Sequence, residues 1–269
     1  MAGLDRPRQG LHKGGMNSIS IAIIVAACVF AAGVAGLVVH TALPPGHRSK
    51  ETQEVVRLAT GMLSVLSSLV LGLLIATAKT TYDTTDRDMR SYAADLILLN
   101  ETLRDYGDTA GVPQDTLRRY TAQTLEDNWP AAGGTVVVEN QRAGAMLEHV
   151  REDIRALHPV DDGQKWLMNQ ALDISTSLLH QRWRFIEGAG PSVQPVTLAI
   201  LVSWIMVIFG SFGLNAPRNA TVIAAFFVCA GAIGGSVFLI LEMDQPMQGS
   251  LKITSAPMRD AFAHMRPGP

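Results

Sequence analysis

The chain is predicted to be an all-α polytopic membrane protein, with four transmembrane helices in two hairpins and a helical domain inserted between them. Two observations carry this expectation. Four apolar stretches, Ile19–Val39, Val55–Ala78, Pro195–Leu214 and Ala220–Leu241, are nearly free of internal charge. About 20 helical residues at ~1.5 Å each cover the ~30 Å hydrocarbon core of a bilayer. Lipid offers backbone groups no partner, so such stretches must be helical. The polar middle of the chain, in turn, spaces its apolar residues at a period near 3.6 rather than 2.

Taken in order, residues 1–18 read as a tail and residues 19–82 as the first transmembrane hairpin. Arg6, Arg8 and Lys13 precede Ile19–Val39 like the charged flank of a leader. The apolar stretch outruns the ~7–15 residues of a cleaved leader, so a retained anchor is expected, with Met16 as a second candidate start. His40–Glu54 turns the hairpin, and Pro44, Pro45 and Gly46 break the helix. Residues 83–190 form the inserted domain. Met89, Tyr92, Leu96, Leu99, Leu103 and Tyr106 follow a 3-4-3-4-3 spacing, one stripe of an amphipathic helix. Pro113 suits the first turn of a helix that runs to Trp129 and stops at Pro130. A third helix carries Val136, Ala143, Leu147, Val150, Ile154 and Leu157 on one face; Thr135–Val138 is alternatively a short strand, without a partner strand elsewhere. A fourth starts at Asp161, with Gln164 placed as in a capping box, and ends near Glu187 before Gly188, Gly190 and Pro191. Residues 191–245 make the second hairpin, turned at Asn215–Asn219, where Pro217 stops one helix and Asn219 caps the next. Residues 246–269 read as a C-terminal tail.

Charge and composition exclude several classes. A net charge of −2 gives no basic surface for nucleic acid. Cys28 and Cys229 both lie within apolar stretches and read as small filler. His40 and His47 flank the first turn without a third ligand at any metal-binding spacing, so no metal site is expected. No GxSxG, P-loop, HExxH or dinucleotide-binding glycine pattern occurs, so neither catalytic residues nor a cofactor are expected, and no enzyme. Arg6, Arg8, Lys13, Lys79, Arg87, Arg90, Arg182, Arg184 and Lys252 share one membrane face, against Arg48, Lys50, Arg57 and Arg218 on the other. That asymmetry places the inserted domain and both tails in the cytoplasm of a multi-pass inner (plasma) membrane protein.

Four groups of residues are candidates for function. Gly61, Ser64, Ser68, Gly72, Ala76 and Lys79 fall on one face of the second helix. Such a face either lines a pore, with hydroxyls replacing ion hydration, or packs tightly against another helix. Gly231 and Gly235 form a GxxxG pair expected to allow close helix approach. Glu242 and Asp244 end the fourth span, where a carboxylate is disfavoured by the helix dipole. Either a surface ion pair with Lys79, Arg87 or Arg184 or a weak cation site would relieve them. Asn215, Arg218 and Asn219 form either an anion vestibule or a capped turn with one orienting charge.

The segments Ser211-Phe-Gly-Leu-Asn-Ala-Pro-Arg-Asn-Ala-Thr221 and Leu239-Ile-Leu-Glu-Met-Asp-Gln-Pro-Met-Gln-Gly249 resemble those of the bestrophin-like domain family of bacterial membrane proteins. Tyr120 with Trp129-Pro130, and Arg182-Trp-Arg184, are similar to that family's middle region. The resemblance runs over residues 16–265. It implies the plan of the bestrophins, pentameric anion channels with four membrane helices, a helical cytoplasmic body and a pore lined by the second helix. Two departures are visible. There is no run of acidic residues like the calcium clasp of the animal bestrophins, only Glu242 and Asp244, and Met62–Ala78 contains no aromatic residue for a constriction. The expectation is therefore a homo-oligomer in membrane lipid that conducts small anions. The competing expectation is a non-conducting scaffold that recruits cytoplasmic partners through its helical domain.

Overall fold

The computed structural model describes residues 18–42, 50–130, 141–188, 193–247 and 251–265. Among them every regular element is helical: α1 (Ser18–Ala42), α2 (Lys50–Tyr106), α3 (Gly111–Asn128), α4 (Gln141–Arg155), α5 (Asp162–Glu187), α6 (Pro195–Asn215), α7 (Ala220–Asp244) and α8 (Ala256–His264), with a 3₁₀ turn at Asp108–Ala110. Ser18–Val39, Glu51–Tyr106, Pro195–Asn215 and Ala220–Asp244 are long and apolar enough to cross a membrane. Pro44, Pro45 and Gly46 of the first turn, and the Thr135–Val138 run, lie outside the described residues.

One helix differs from the sequence expectation. The second apolar stretch and the Met89–Tyr106 stripe belong to a single 57-residue helix. Nothing in the polar stretch between them breaks a helix, since it lacks both Gly and Pro. Ion pairs one turn apart, Lys79–Asp83 and Asp86–Arg90, hold it. Thr80 and Thr85 add hydroxyl bonds to the carbonyls of Ala76 and Thr81. At ~1.5 Å per residue the helix is about 85 Å long, far more than a bilayer needs.

The chain divides into two compact units: Met1–Val70 with Ala199–Leu239, and Leu71–Leu198 with Ile240–Pro269. In the first, helices meet at glycine. A Cβ on Gly36 would lie 2.2 Å from the Gly210 carbonyl oxygen, and one on Gly213 would lie 2.1 Å from that of Gly33. The α1 and α6 backbones are therefore in direct contact. A Cβ on Gly234 of α7 would meet Ala22 and Ala26 of α1 at 2.9 Å. Phe226 fills the space beside Gly33 and packs against Phe209, their ring centroids 5.9 Å apart.

The second unit has the core of a water-soluble protein. Met89, Tyr92, Leu96, Leu99, Leu103 and Tyr106 of α2 are all buried, as their spacing predicts. They pack with Leu117 and Tyr120 of α3, Ala143, Leu147, Val150 and Ile154 of α4, and Ile174 and Leu178 of α5. The segment read from sequence as a tail contributes to this core. Ile253, Met258, Ala261 and Met265 are buried in it, and the Trp129 indole donates to the Ile253 carbonyl at 2.9 Å. Asp161 caps α5, accepting from the Gln164 backbone at 2.7 Å.

Candidate functional site

On the apolar half of α2, up to Ala78, the residues covered by the protomer are Thr60, Ser67, Leu74 and Ala78, a stripe at seven- and four-residue spacing. The small face expected from sequence lies beside that stripe. Ser64 is on its edge and donates to its own Thr60 carbonyl at 2.8 Å. Gly61, Ser68, Gly72, Ala76 and Lys79 are exposed, and a Cβ on Gly61 or Gly72 would meet nothing within 4 Å. Ser68 has no hydrogen-bond partner among the described residues. Lys79 pairs with Asp83 and lies over the Tyr82 ring, 5.6 Å from its centroid.

The GxxxG expectation needs correction within the protomer. Gly231 and Gly235 face open space, and Gly234 between them makes the close approach to α1. The physical reason is helix rotation. One residue turns a helix by about 100°, and α7 is apolar all round, so no polar face marks which glycine turns inward.

The α6–α7 turn is built from caps. Asn219 accepts from the Val222 backbone at 2.9 Å, and the Asn215 amide donates to the Ser211 carbonyl at 2.9 Å. Arg218 donates through Nε and Nη2 to the Leu37 carbonyl, at 3.1 and 2.7 Å. A guanidinium near the C-terminal end of α1 is also placed well for that helix's dipole. Beside the turn, Gln53, Glu54, Arg57, Thr60, Ser211, Phe212 and Asn215 line an open cavity of about 470 Å³.

Glu242 and Asp244 are both buried, and each accepts a backbone amide. Leu251 N–H donates to Glu242 Oε2 at 3.2 Å, and Val193 N–H donates to Asp244 Oδ1 at 3.1 Å. Backbone bonds to the segments before α6 and after α7 are thus part of what holds these carboxylates. Among the described residues no group of three or more His, Cys, Asp or Glu side chains is arranged to hold a metal ion.

The inserted domain also contains a cavity of about 450 Å³, which sequence reasoning missed. Its walls come from one face of α2, from α3, from the last turns of α5 and from residues 244–247. Thr80, Thr81, Thr84, Thr85, Asp88, Met89 and Tyr92 form the α2 wall. The doubled threonine pairs one helical turn apart were the available signal. Opposite stand Tyr120, Thr124 and Asn128 of α3 and Arg182, Arg184 and Phe185 of α5. The Tyr92 and Tyr120 hydroxyls bond to each other, and Phe185 meets Tyr92 edge-on with centroids 5.7 Å apart. Burial holds the Tyr92 phenol well above its ordinary pKa; the adjacent Tyr120 adds to this, and the charge of Arg182 opposes it. Tyr92 is therefore a hydroxyl donor or acceptor, and not a phenolate, throughout the neutral range.

Comparison with known proteins bears on the whole chain. The family model of the bestrophin-like domain matches residues 27–258. No curated protein matches. Three crystal structures of a bacterial bestrophin homologue from Klebsiella pneumoniae, each with a different single substitution, share the fold. The first has a TM-score of 0.67 at 11% identity, covering 93% of this chain and 97% of its own. The second has a TM-score of 0.65 at 10% identity, covering 91% and 98%. The third has a TM-score of 0.63 at 12% identity, covering 91% and 99%.

Proposed function

The chain belongs to the bestrophin-like domain family, and on that premise we propose that it assembles with copies of itself into a membrane channel for small anions. The observation that carries this reading is the exposure of α2. Its apolar window is only 17% buried within the protomer, against 28–33% for the other three spans. Its uncovered surface includes Gly61, Ser68, Gly72 and Ala76 as well as the leucines and valines natural to a lipid contact. A serine hydroxyl that faces lipid has only its own backbone to bond. Around a symmetry axis, the same face would meet its copies, and a ladder of hydroxyls would replace part of an anion's hydration. The open space at Gly61 and Gly72 supports an aqueous path at those levels. In this arrangement the Gly231–Gly235 face of α7 is free to pack between protomers or against lipid.

The proposal places the protein in the inner (plasma) membrane, with the inserted domain and both tails on the cytoplasmic side, as the charge asymmetry expects. Glu242 and Asp244 then lie at that surface, where we expect a basic side chain to complete their electrostatic environment beyond the two backbone bonds. Asn215, Arg218 and Asn219 lie at the outer turn, where their hydrogen bonds to the Ser211 and Leu37 carbonyls and from the Val222 amide support a structural role.

Conductance of the purified protein in planar bilayers tests the reading, together with its mass in nanodiscs. Ser68→Leu fills the exposed face with a bulky apolar side chain. It should reduce anion conductance several-fold while leaving the oligomer intact. A well-folded wild-type protein that is monomeric, or that conducts no anion, would sink the channel and leave the scaffold reading.

A further inference from the structure

The cavity of the inserted domain plays no part in the conduction proposed above, and its chemistry is unusually specific. We propose that it binds a small aliphatic monocarboxylate, with the carboxylate at Tyr92, Tyr120, Thr124 and Arg182 and the alkyl body against Met89, Phe185 and Met247.

The argument begins with unspent protons. Two tyrosine hydroxyls carry two protons, and the bond between them uses one. The other has no acceptor among the described residues. Thr124 is a second case. Thr116 and Thr121 in the same helix, and Thr80 and Thr85 in α2, donate to the carbonyl one turn earlier. The Thr124 hydroxyl is 6% exposed at the residue level and has no partner among the described residues. A buried hydroxyl without a bond is rare, and both of these line the same cavity. What they lack is an acceptor.

Electrostatics narrows the choice. Arg182 lines the same cavity as Tyr92, Tyr120 and Thr124, so hydroxyl donors and a guanidinium share its wall. A carboxylate takes several such donors at once and strengthens each bond by its charge. Asp88 lies one helical turn before Tyr92 on the α2 wall, and Asp244 is also in the lining. Arg184 is the other cation of the lining, so its charged side chains balance and leave no excess of cations for a second anionic group, which favours a single charge. The remaining wall includes Met89, Phe185, Pro246 and Met247, which suit an alkyl chain. The volume lies within the range of small-molecule sites.

The test uses the full-length protein in nanodiscs, titrated calorimetrically with hexanoate. Hexanamide, sodium chloride at equal ionic strength and the dicarboxylate adipate are the comparison probes. Hexanoate should bind saturably with one site per chain, and the other three should bind at least about tenfold more weakly. Thr124→Val keeps the side-chain shape and removes an unpaired hydroxyl, so the variant is expected to fold. It should weaken hexanoate binding about tenfold. Arg182→Gln should do the same while leaving hexanamide unaffected. Equal binding of hexanoate and hexanamide would overturn the carboxylate assignment. Unchanged affinity in folded Thr124→Val would overturn the placement, and absence of binding would mean that the cavity holds water only. None of these readouts depends on conductance, so the channel and this site stand or fall separately.

Discussion

Helix α2 is one continuous element built in two chemistries. Its first half, to about Ala78, is mostly apolar yet largely uncovered, with Val55, Leu58, Met62, Val65, Leu66, Leu69 and Leu73 all exposed. Its second half hides a strict stripe, from Met89 to Tyr106, and exposes polar side chains such as Arg90, Arg104 and Asp105. The difference follows from the surrounding medium. In water an apolar side chain gains only by burial against protein, so large side chains mark the packed face. In lipid that driving force is absent between helices, and close approach at small residues takes its place. The same distinction separates the two units. Glycine marks the α1–α6 contact in one, and Leu, Ile and Tyr mark the core of the other.

Mutations at the two kinds of contact should break this comparison most sharply. At Gly213 a Cβ would stand 2.1 Å from a backbone oxygen on another helix, and no rotamer relieves that. Gly213→Ala should prevent recovery of folded protein, at a cost at or above the about 1–3 kcal/mol of ordinary overpacking. Gly231→Ala, in open space within the protomer, should leave the folded monomer's stability within about 0.5 kcal/mol. Size-exclusion profiles in detergent and thermal unfolding distinguish the two. Equal tolerance at both positions would show that glycine does not set the α1–α6 distance.

The next substitutions weaken the folded protein without preventing its recovery. Leu99→Ala and Leu178→Ala remove fully buried side chains from the water-facing core. Each should cost about 2–5 kcal/mol. Leu66→Ala, half exposed on the membrane half of α2, should cost much less in the isolated protomer. Circular dichroism melts on the same detergent preparation compare them directly. A Leu66 effect as large as that of Leu99 would mean that another protein surface covers this face.

The pattern that makes these predictions also explains what could be read from the chain. The spans are legible because lipid demands length and apolarity, and the stripes of α2 and α4 because water demands a buried side. Asp161 and Gln164 are legible because a cap is local chemistry. Rotation of the spans is not, since a helix apolar all round carries no mark of its inner face, and Gly234 looks no different from Gly231 or Gly235. The continuity of α2 through Lys79–Asp88 was obscured by its polar composition, although nothing there interrupts a helix. The Tyr92–Thr124 cavity depends on where α3 and α5 come to rest against α2. Only its doubled threonines left a trace in sequence.

Alkaline titration sharpens the contrast within the soluble core. Tyr92 is buried, and its pKa is raised from the ordinary 10.0. Above about pH 10 the unfolded chain ionises this phenol while the native state keeps its proton. The unfolded state then binds fewer protons, so stability must fall as pH rises through that window. The slope from one such group reaches about 1.4 kcal/mol per pH unit. Unfolding midpoints measured from pH 8 to 11 should decline less steeply in the Tyr92→Phe/Tyr120→Phe double variant. An unchanged slope would show that the fold does not protect the Tyr92 phenol.

The smallest expected effect tests where the comparison stops. Helix α5 in the inserted domain is capped by Asp161, and α7 among the spans by Asn219; both side chains accept a backbone amide and both are exposed. A cap satisfies one of the donors that a helix start leaves over, and its worth depends on whether water can take its place. If both helix starts are wet, the surrounding medium of the helix bodies is irrelevant to them. Asp161→Ala and Asn219→Ala should then cost alike, about 1 kcal/mol each. Gln164 complicates the first position, because its side chain accepts from Val160 N–H at 3.0 Å and donates to the Tyr106 carbonyl at 3.1 Å. Losing Asp161 leaves those two bonds in place, so the comparison remains one cap against one cap. Thermal unfolding of both variants in one detergent measures the difference. A cost at Asn219 well beyond that at Asp161 would mean that water does not reach the α6–α7 turn, and that protein or lipid covers it in the assembled state.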